Sequence, residues 1–186
     1  MIIQITGTNS SGKTEAVRRL LALGTASAHY QTGRKRAIGH ILNIPEISKP
    51  IWVAGAYDEI QTSGMDTFHG VGSENYDLIV SWANQYDHVV FEGIRMMIHS
   101  RGLEMAKKIP HMMVLFLNTP RHVIFRSLEE RRAANGLPPK GYNAKDIEGN
   151  IPRARNYTYK LSQLGCPIQE VTRETIVPTM LKLLKS

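Results

Sequence analysis

Residues 7–14 read GTNSSGKT, set between an apolar run, Ile2–Thr6, and a stretch of helical spacing that begins at Lys13. A glycine, four residues, then Gly-Lys-Thr is the pattern of a loop whose backbone wraps an anion. Gly7 and Gly12 stand where the chain must come close to phosphate oxygens in conformations that a side chain obstructs. Thr8, Asn9, Ser10 and Ser11 supply the amides between them. Lys13 is placed to neutralise the β- and γ-phosphates of ATP, Thr14 to set its hydroxyl on Mg2+, and the helix that follows to aim its positive end at the anion. A strand, this loop and a helix in direct succession restrict the chain to an α/β architecture with the loop at the carboxyl edge of a sheet.

The rest of the chain alternates accordingly. RKRAIGHIL and IWVAGAY read as strands separated by NIPEISKP, whose two prolines prevent a continuous helix. YDLIVSWAN reads as a helix, HVVFEGI as a buried strand, RGLEMAKKI as a helix stopped by Pro110, and HMMVLFLNTP as a second apolar strand. RHVIFRSLEERRAAN and IPRARNYTYKLSQLG follow as helices, then the short strand PIQEV and the closing helix IVPTMLKLLK. This order predicts a three-layer fold with a mostly parallel sheet of about five strands, helices on both faces and an arginine-rich lid at about residues 126–155. All 186 residues fit one domain.

Composition narrows the partners. Charged residues make up 21%, and no apolar run approaches the ~18 residues of a membrane span. The N-terminus shows no basic segment or small-residue cleavage site and reads as a core strand, so a cytoplasmic protein is expected. Cys166 is the sole cysteine, so a disulfide within the chain is impossible. The seven histidines show no metal-ligand spacing, and Met96, Met97, Met112 and Met113 read as core. The net charge of +7 favours a polyanionic partner, and much of the excess falls between Arg121 and Lys160.

Several acidic and basic groups are candidates for chemistry on the bound phosphate. Glu92 ends the strand HVVFEGI, where it can hold a magnesium-bound water as the acid of a Walker B strand does. Asp58 and Asp66 lie in DEIQTSGMDTFHGVGSEN, a polar, turn-rich stretch after IWVAGAY, and either can accept the proton of an acceptor hydroxyl. Tyr57 and Phe68 flank them and can stack on a base. Arg126, Arg131, Arg132, Arg153 and Arg155 belong to the lid candidate, where arginines closing over a transferring phosphoryl stabilise its charge and exclude water.

Together, GTNSSGKT after the first strand, VVFEG at a strand end and VLFLNTPRHVIFRSLEERR leading into an arginine-bearing helix resemble the small P-loop kinases of the nucleoside and nucleotide kinase group. That resemblance implies that Arg126 contacts ATP. Within the group, VAGAYDEIQTSGMDTFHG with VVFEG is similar to phage-encoded kinases acting on 5-hydroxymethyluracil in DNA. In their Gly-Gly-x-Asp turn the first glycine is replaced here by Ser63. The resemblance implies a Mg2+- and ATP-dependent transfer of the γ-phosphoryl group to the hydroxymethyl oxygen, in the host cytoplasm.

On that reading Lys13, Asp58, Asp66, Glu92, Arg126 and Arg131 are catalytic, Thr14 and Glu92 hold the metal, and Tyr57, Asp66, Phe68, Arg95, Arg153 and Arg155 meet the substrate. Two other readings stay open. A deoxynucleoside monophosphate kinase of thymidylate-kinase type acts on a free deoxynucleotide and needs an arginine on the acceptor phosphate, from Arg34, Arg36 or Arg95. An ATP-dependent switch grips DNA without transferring phosphate. Neither the oligomeric state nor the choice of ATP over GTP is set by the residues.

Overall fold

A computed structural model describes residues 1–57, 64, 74–93, 101–138 and 141–186. Asp58, Asp66, Phe68, Arg95, Met96 and Met97 lie outside the described residues. Among the described residues seven strands occur, β1 Ile2–Thr6, β2 Thr25–His29, β3 Gly39–Asn43, β4 Ile51–Ala54, β5 His88–Glu92, β6 Met112–Leu117 and β7 Ile168–Val171. The helices are α1 Lys13–Leu21, α2 Glu74–Gln85, α3 Arg101–Lys108, α4 Arg121–Ala134, α5 Ala144–Gln163 and α6 Ile176–Leu184.

The strands form one sheet in the order β2-β3-β4-β5-β1-β6-β7. The run of five strands from β4 to β7 is parallel throughout, in keeping with the mostly parallel sheet of about five strands that the sequence predicts. Two antiparallel pairings, β2 on β3 and β3 on β4, extend it to seven. β3 is the carboxyl part of RKRAIGHIL, whereas β2 has the sequence TASAH and was not expected. Its residues are all exposed, so it lacks the apolar alternation by which a strand is recognised, and it is held by its ladder to β3.

Alternate residues of the central strands face opposite layers, as the period of two requires. Ile2, Trp52, Val89, Phe91 and Met112 pack with Ile79, Trp82, Met105, Tyr157 and Leu161 of α2, α3 and α5. On the other face Ile3, Ile5, Val53, Val90 and Leu115 pack with Val17 and Leu20 of α1 and Ile176 and Met180 of α6. Helices thus cover both sides of the sheet, which explains why β1, β5 and β6 are almost wholly buried.

A third, smaller apolar group joins α4 to the start of α5. Ile124, Leu128 and Ile147 are buried together, with Phe125, Tyr142 and Ile151 against them. α5 begins at Ala144, earlier than the expected Ile151, and Asn143 caps it by accepting from the Lys145 amide at 3.1 Å. Pro152 therefore lies inside the helix, where a proline removes one backbone bond. Its ring is on the exposed side, while Ile147, Ala154, Tyr157, Thr158 and Leu161 anchor the buried side on both flanks. No described helix is long and apolar enough to cross a membrane.

Candidate active site

The loop between β1 and α1 has the backbone that the glycines predict. Gly7 has φ +148°, Gly12 φ +109° and Ser10 φ +55°. A Cβ on Gly7 would stand 2.8 Å from the Ser11 hydroxyl oxygen and 3.0 Å from the Leu117 carbonyl, so the turn closes only without a side chain. Gly12 is the cap residue of α1 and, having no side chain, caps none of the helix's first amides itself. An anion is what a helix N-terminus favours. Thr8 Oγ1, Asn9 Oδ1, Ser10 Oγ and Ser11 Oγ are buried and have no hydrogen-bond partner among the described residues. Such a cluster of orphaned polar atoms costs stability unless something polar meets it, and a polyphosphate supplies that.

Lys13 is buried and donates from Nζ to the Thr8 carbonyl at 2.8 Å. The ammonium is thus folded across the loop it belongs to. Thr14 donates from Oγ1 to Oε1 of Glu92 at 3.2 Å, and Glu92 is only 1% exposed. A hydroxyl and a buried carboxylate oxygen meeting at the end of the cradle form a hard oxygen pair of the kind that holds Mg2+. The register of β1 on β5, with Ile5 opposite Glu92, is what brings two residues 78 apart in sequence together.

Gly64 is the described residue of the SGMD turn. Its amide donates to the Ala56 carbonyl at 2.6 Å, forming an antiparallel bridge just beyond the end of β4. A Cβ there would stand 2.1 Å from Glu92 Oε1 and 3.5 Å from Thr14 Oγ1. Its φ of +94° also disfavours any other residue. The backbone thus passes directly over the Thr14–Glu92 pair. Tyr57, expected to offer its ring to a base, is instead 7% exposed, with its ring 5.9 Å from that of His40 and its hydroxyl donating to the Ala54 carbonyl at 3.2 Å. In this conformation it packs the root of the loop.

The lid arginines divide. Arg126 and Arg131 are exposed on α4, Arg126 with Nε 3.8 Å from Glu130 one turn on. Arg132 is half-buried and donates from Nε to the Pro138 carbonyl at 2.7 Å, tying the end of α4 to the chain that follows. Arg153 donates to Asn150 Oδ1 at 3.2 Å, and Arg155 to Asn118 Oδ1 at 3.3 Å at the end of β6. The described hydrogen bonds bring Arg155 alone of these to the sheet edge that carries the cradle.

Arg173, in the turn between β7 and α6, makes the densest set of polar contacts with the cradle and was not anticipated. It donates from Nε to the Ser11 carbonyl at 2.9 Å, from Nη2 to the Ser10 carbonyl at 2.6 Å and from Nη1 to Ser127 Oγ at 2.9 Å. Thr119 adds a bond from Oγ1 to the Ser11 carbonyl at 3.1 Å. Arg19 of α1 in turn donates to the Arg173 carbonyl at 2.8 Å. The carbonyls on the outer side of the loop are therefore fixed from two later turns of the chain, which leaves the inner amides preset. A single arginine in VTRET carries no local signal of this role. Thr119 lies in LNTP, part of a motif that the sequence does single out.

No family model matches the chain. Over 194 aligned residues it is 26% identical to the 5-hmdU DNA kinase of Pseudomonas phage PaMx11, covering all of this chain and 97% of that protein. Among solved structures, a deoxyadenosine kinase from M. mycoides with bound dATP matches with TM-score 0.48 at 11% identity, covering 100% of each chain. A GTPase from Pyrococcus abyssi matches with TM-score 0.32 at 12% identity, covering 99% of this chain and 96% of that one. The end-to-end similarity to a protein named as a kinase agrees with the reading of the motifs: the chain resembles the phage 5-hydroxymethyluracil DNA kinases.

Proposed function

We propose that the protein transfers the γ-phosphoryl group of Mg-ATP to the hydroxymethyl oxygen of 5-hydroxymethyluracil in DNA. What supports the transfer is the meeting of Thr14 and Glu92 at the end of a cradle preset by Arg173 and Thr119. What supports the acceptor is the full-length similarity to a protein named for that activity.

The triphosphate lies along the loop amides and the N-terminus of α1, with Lys13 leaving the Thr8 carbonyl for the β- and γ-phosphate oxygens. Thr14 and Glu92 would hold Mg2+, which when bound would neutralise charge on those phosphates. The acceptor oxygen forms its bond to the γ-phosphorus as the bond from that phosphorus to the bridging oxygen breaks, and ADP leaves. The hydroxyl proton passes to a carboxylate, Asp58 or Asp66. Gly64, which lies between Asp58 and Asp66 in the sequence, runs over Glu92. Arg126, Arg131, Arg153 and Arg155 meet the transferring phosphoryl and stabilise the charge that builds on its oxygens.

The test is transfer of labelled γ-phosphate from ATP, offering in parallel DNA containing 5-hydroxymethyluracil, thymine DNA, free deoxynucleotides and free deoxynucleosides. Label on the modified DNA alone is the expected result. Label on a free monophosphate would replace this reading with a nucleotide kinase, and ATP consumption without any labelled acceptor would replace it with the switch.

A further inference from the structure

We propose that the loop joining β2 to β3, with Arg34, Lys35 and Arg36 near its end, is a docking surface for the DNA phosphate backbone beside the acceptor. The proposal rests on the reading of a DNA acceptor and identifies how a polymer, rather than a single nucleotide, would be held.

The charge is segregated. Between Glu15 and Glu46 the chain carries Arg18, Arg19, Arg34, Lys35 and Arg36 and no carboxylate at all. Three of these cations are consecutive in the loop, Lys35 exposed and the two arginines half-buried. Tyr30, at the start of the loop, is 54% exposed.

The loop is also built and aimed. The Arg34 amide donates to the Gln31 carbonyl at 3.0 Å, closing a turn with Gly33 at φ +82° in the position that a type II turn reserves for glycine. The Ile38 amide donates to the His29 carbonyl at 2.8 Å, and the Gly55 amide to the Ile38 carbonyl at 3.0 Å. His29 pairs with Gly39 and Gly39 with Ala54, so the antiparallel pair delivers its loop to the edge of the sheet where β4 ends. Ala56, just beyond, bridges to Gly64, and Gly64 lies on Glu92.

The basic loop and the Thr14–Glu92 pair are therefore on one edge, on the side of the cradle away from the β7 turn that carries Arg173. Two and three strand spacings separate β3 and β2 from β5, roughly 10 and 14 Å. At a rise of about 3.4 Å per nucleotide, that offset reaches phosphates a few residues from a base held at the active site. A free nucleotide has no group to place there. An extended strand does, and each phosphate neutralised releases counterions.

Two variants test this, Lys35→Glu alone and Arg34→Ala/Lys35→Ala/Arg36→Ala together. Binding of a fluorescent oligonucleotide containing 5-hydroxymethyluracil is followed by anisotropy across a salt range of about 50–200 mM, beside steady-state transfer to the same oligonucleotide and to the free deoxynucleoside and its 5′-monophosphate. The expected result is at least a roughly tenfold rise in Kd and KM for DNA near about 0.1 M salt for the triple variant. The salt slope should fall by about one for each phosphate that is no longer neutralised, with kcat on DNA within about twofold. Lys35→Glu, on an exposed side chain, should move both quantities in the same direction.

Unchanged binding and slope in both variants would overturn the proposal, as would an equal loss with the free monophosphate, which would make the loop a single-nucleotide phosphate site. Failure of the parent protein to label the oligonucleotide would remove the function proposed above. The anisotropy arm would still report the loop in that case, a shallower slope upholding it and an unchanged one refuting it.

Discussion

The guanidinium of Arg173 bonds the Ser11 carbonyl through Nε at 2.9 Å from 162 residues away, and through its other two nitrogens it reaches Ser10 and Ser127. One side chain thus joins the outer backbone of the phosphate loop to helix α4, which bears Arg126 and Arg131. The loop cannot shift relative to α4 without breaking at least one of these bonds. Arg173→Ala leaves the Ser10 carbonyl without this donor and the Ser11 carbonyl with Thr119 alone, a loss of about 1–3 kcal/mol. We expect ATP to bind about 10-fold weaker or worse and the Tm to fall. Arg173→Lys should recover little, because an ammonium cannot span three acceptors in one plane. Isothermal titration with ATP and thermal unfolding check both variants.

Gly64 stands over the Thr14–Glu92 pair of the same cradle. Gly64→Ala forces a methyl group against Glu92 Oε1 and a strained φ, so the carboxylate must turn away from Thr14. A displacement of about 1 Å at a reacting centre costs on the order of 100-fold in rate. The expected outcome is that fall in kcat with ATP affinity within about threefold, read from steady-state kinetics and direct ATP binding.

Glu92→Gln and Thr14→Val remove one oxygen ligand each without changing shape much. Both should raise the Mg2+ concentration needed for half-maximal transfer, by at least about tenfold for Glu92→Gln, as loss of a coordinating charge does. Asp58→Asn and Asp66→Asn should separate differently. Loss of the base lowers turnover on the order of 100- to 10,000-fold at unchanged Mg2+ dependence, and the other substitution leaves it nearly intact. Mg2+ titrations of initial rate distinguish the four.

A pH dependence of stability is expected at the opposite edge of the sheet, where His88 Nδ1 lies 3.2 Å from the Met1 amino group. Burial, and then the neighbouring ammonium, lower the His88 pKa below its ordinary 6.5. The unfolded chain therefore binds this proton more readily than the folded one between the two values. Stability present above about pH 6.5 falls as pH drops through that value toward the lower native one, and levels off below it. The Met1 ammonium, also lowered by burial, acts in the same direction near its ordinary 8.0. Urea unfolding from about pH 5 to about pH 9 should show this slope, and His88→Gln should flatten its acidic part.

Cys166 is half-buried against the main core and its thiol pKa is raised by burial. A thiol held protonated is a poor nucleophile. Labelling by a maleimide at about neutral pH should be slow relative to free cysteine and should accelerate on unfolding in urea.

The parts that the sequence determined alone are those in which local chemistry leaves one solution. Gly7, Gly12 and Lys13 in that order permit little besides a phosphate loop, and runs such as VLFL between turn formers become buried strands wherever helices cover both faces. TASAH carried no such signal, because an edge strand can be stable through its ladder while its residues all stay exposed. The start of α5 was legible only in part, since Pro152 reads as a helix beginning and is overruled by the burial of Ile147. Glu92 was legible as a strand-end carboxylate, but its meeting with Thr14 depends on parallel register between β1 and β5. Arg173, Gly64 and the placement of the Arg34–Arg36 loop were decided by tertiary structure. Each acts through partners far away along the chain, and no local propensity encodes which carbonyl, carboxylate or sheet edge a distant residue will meet.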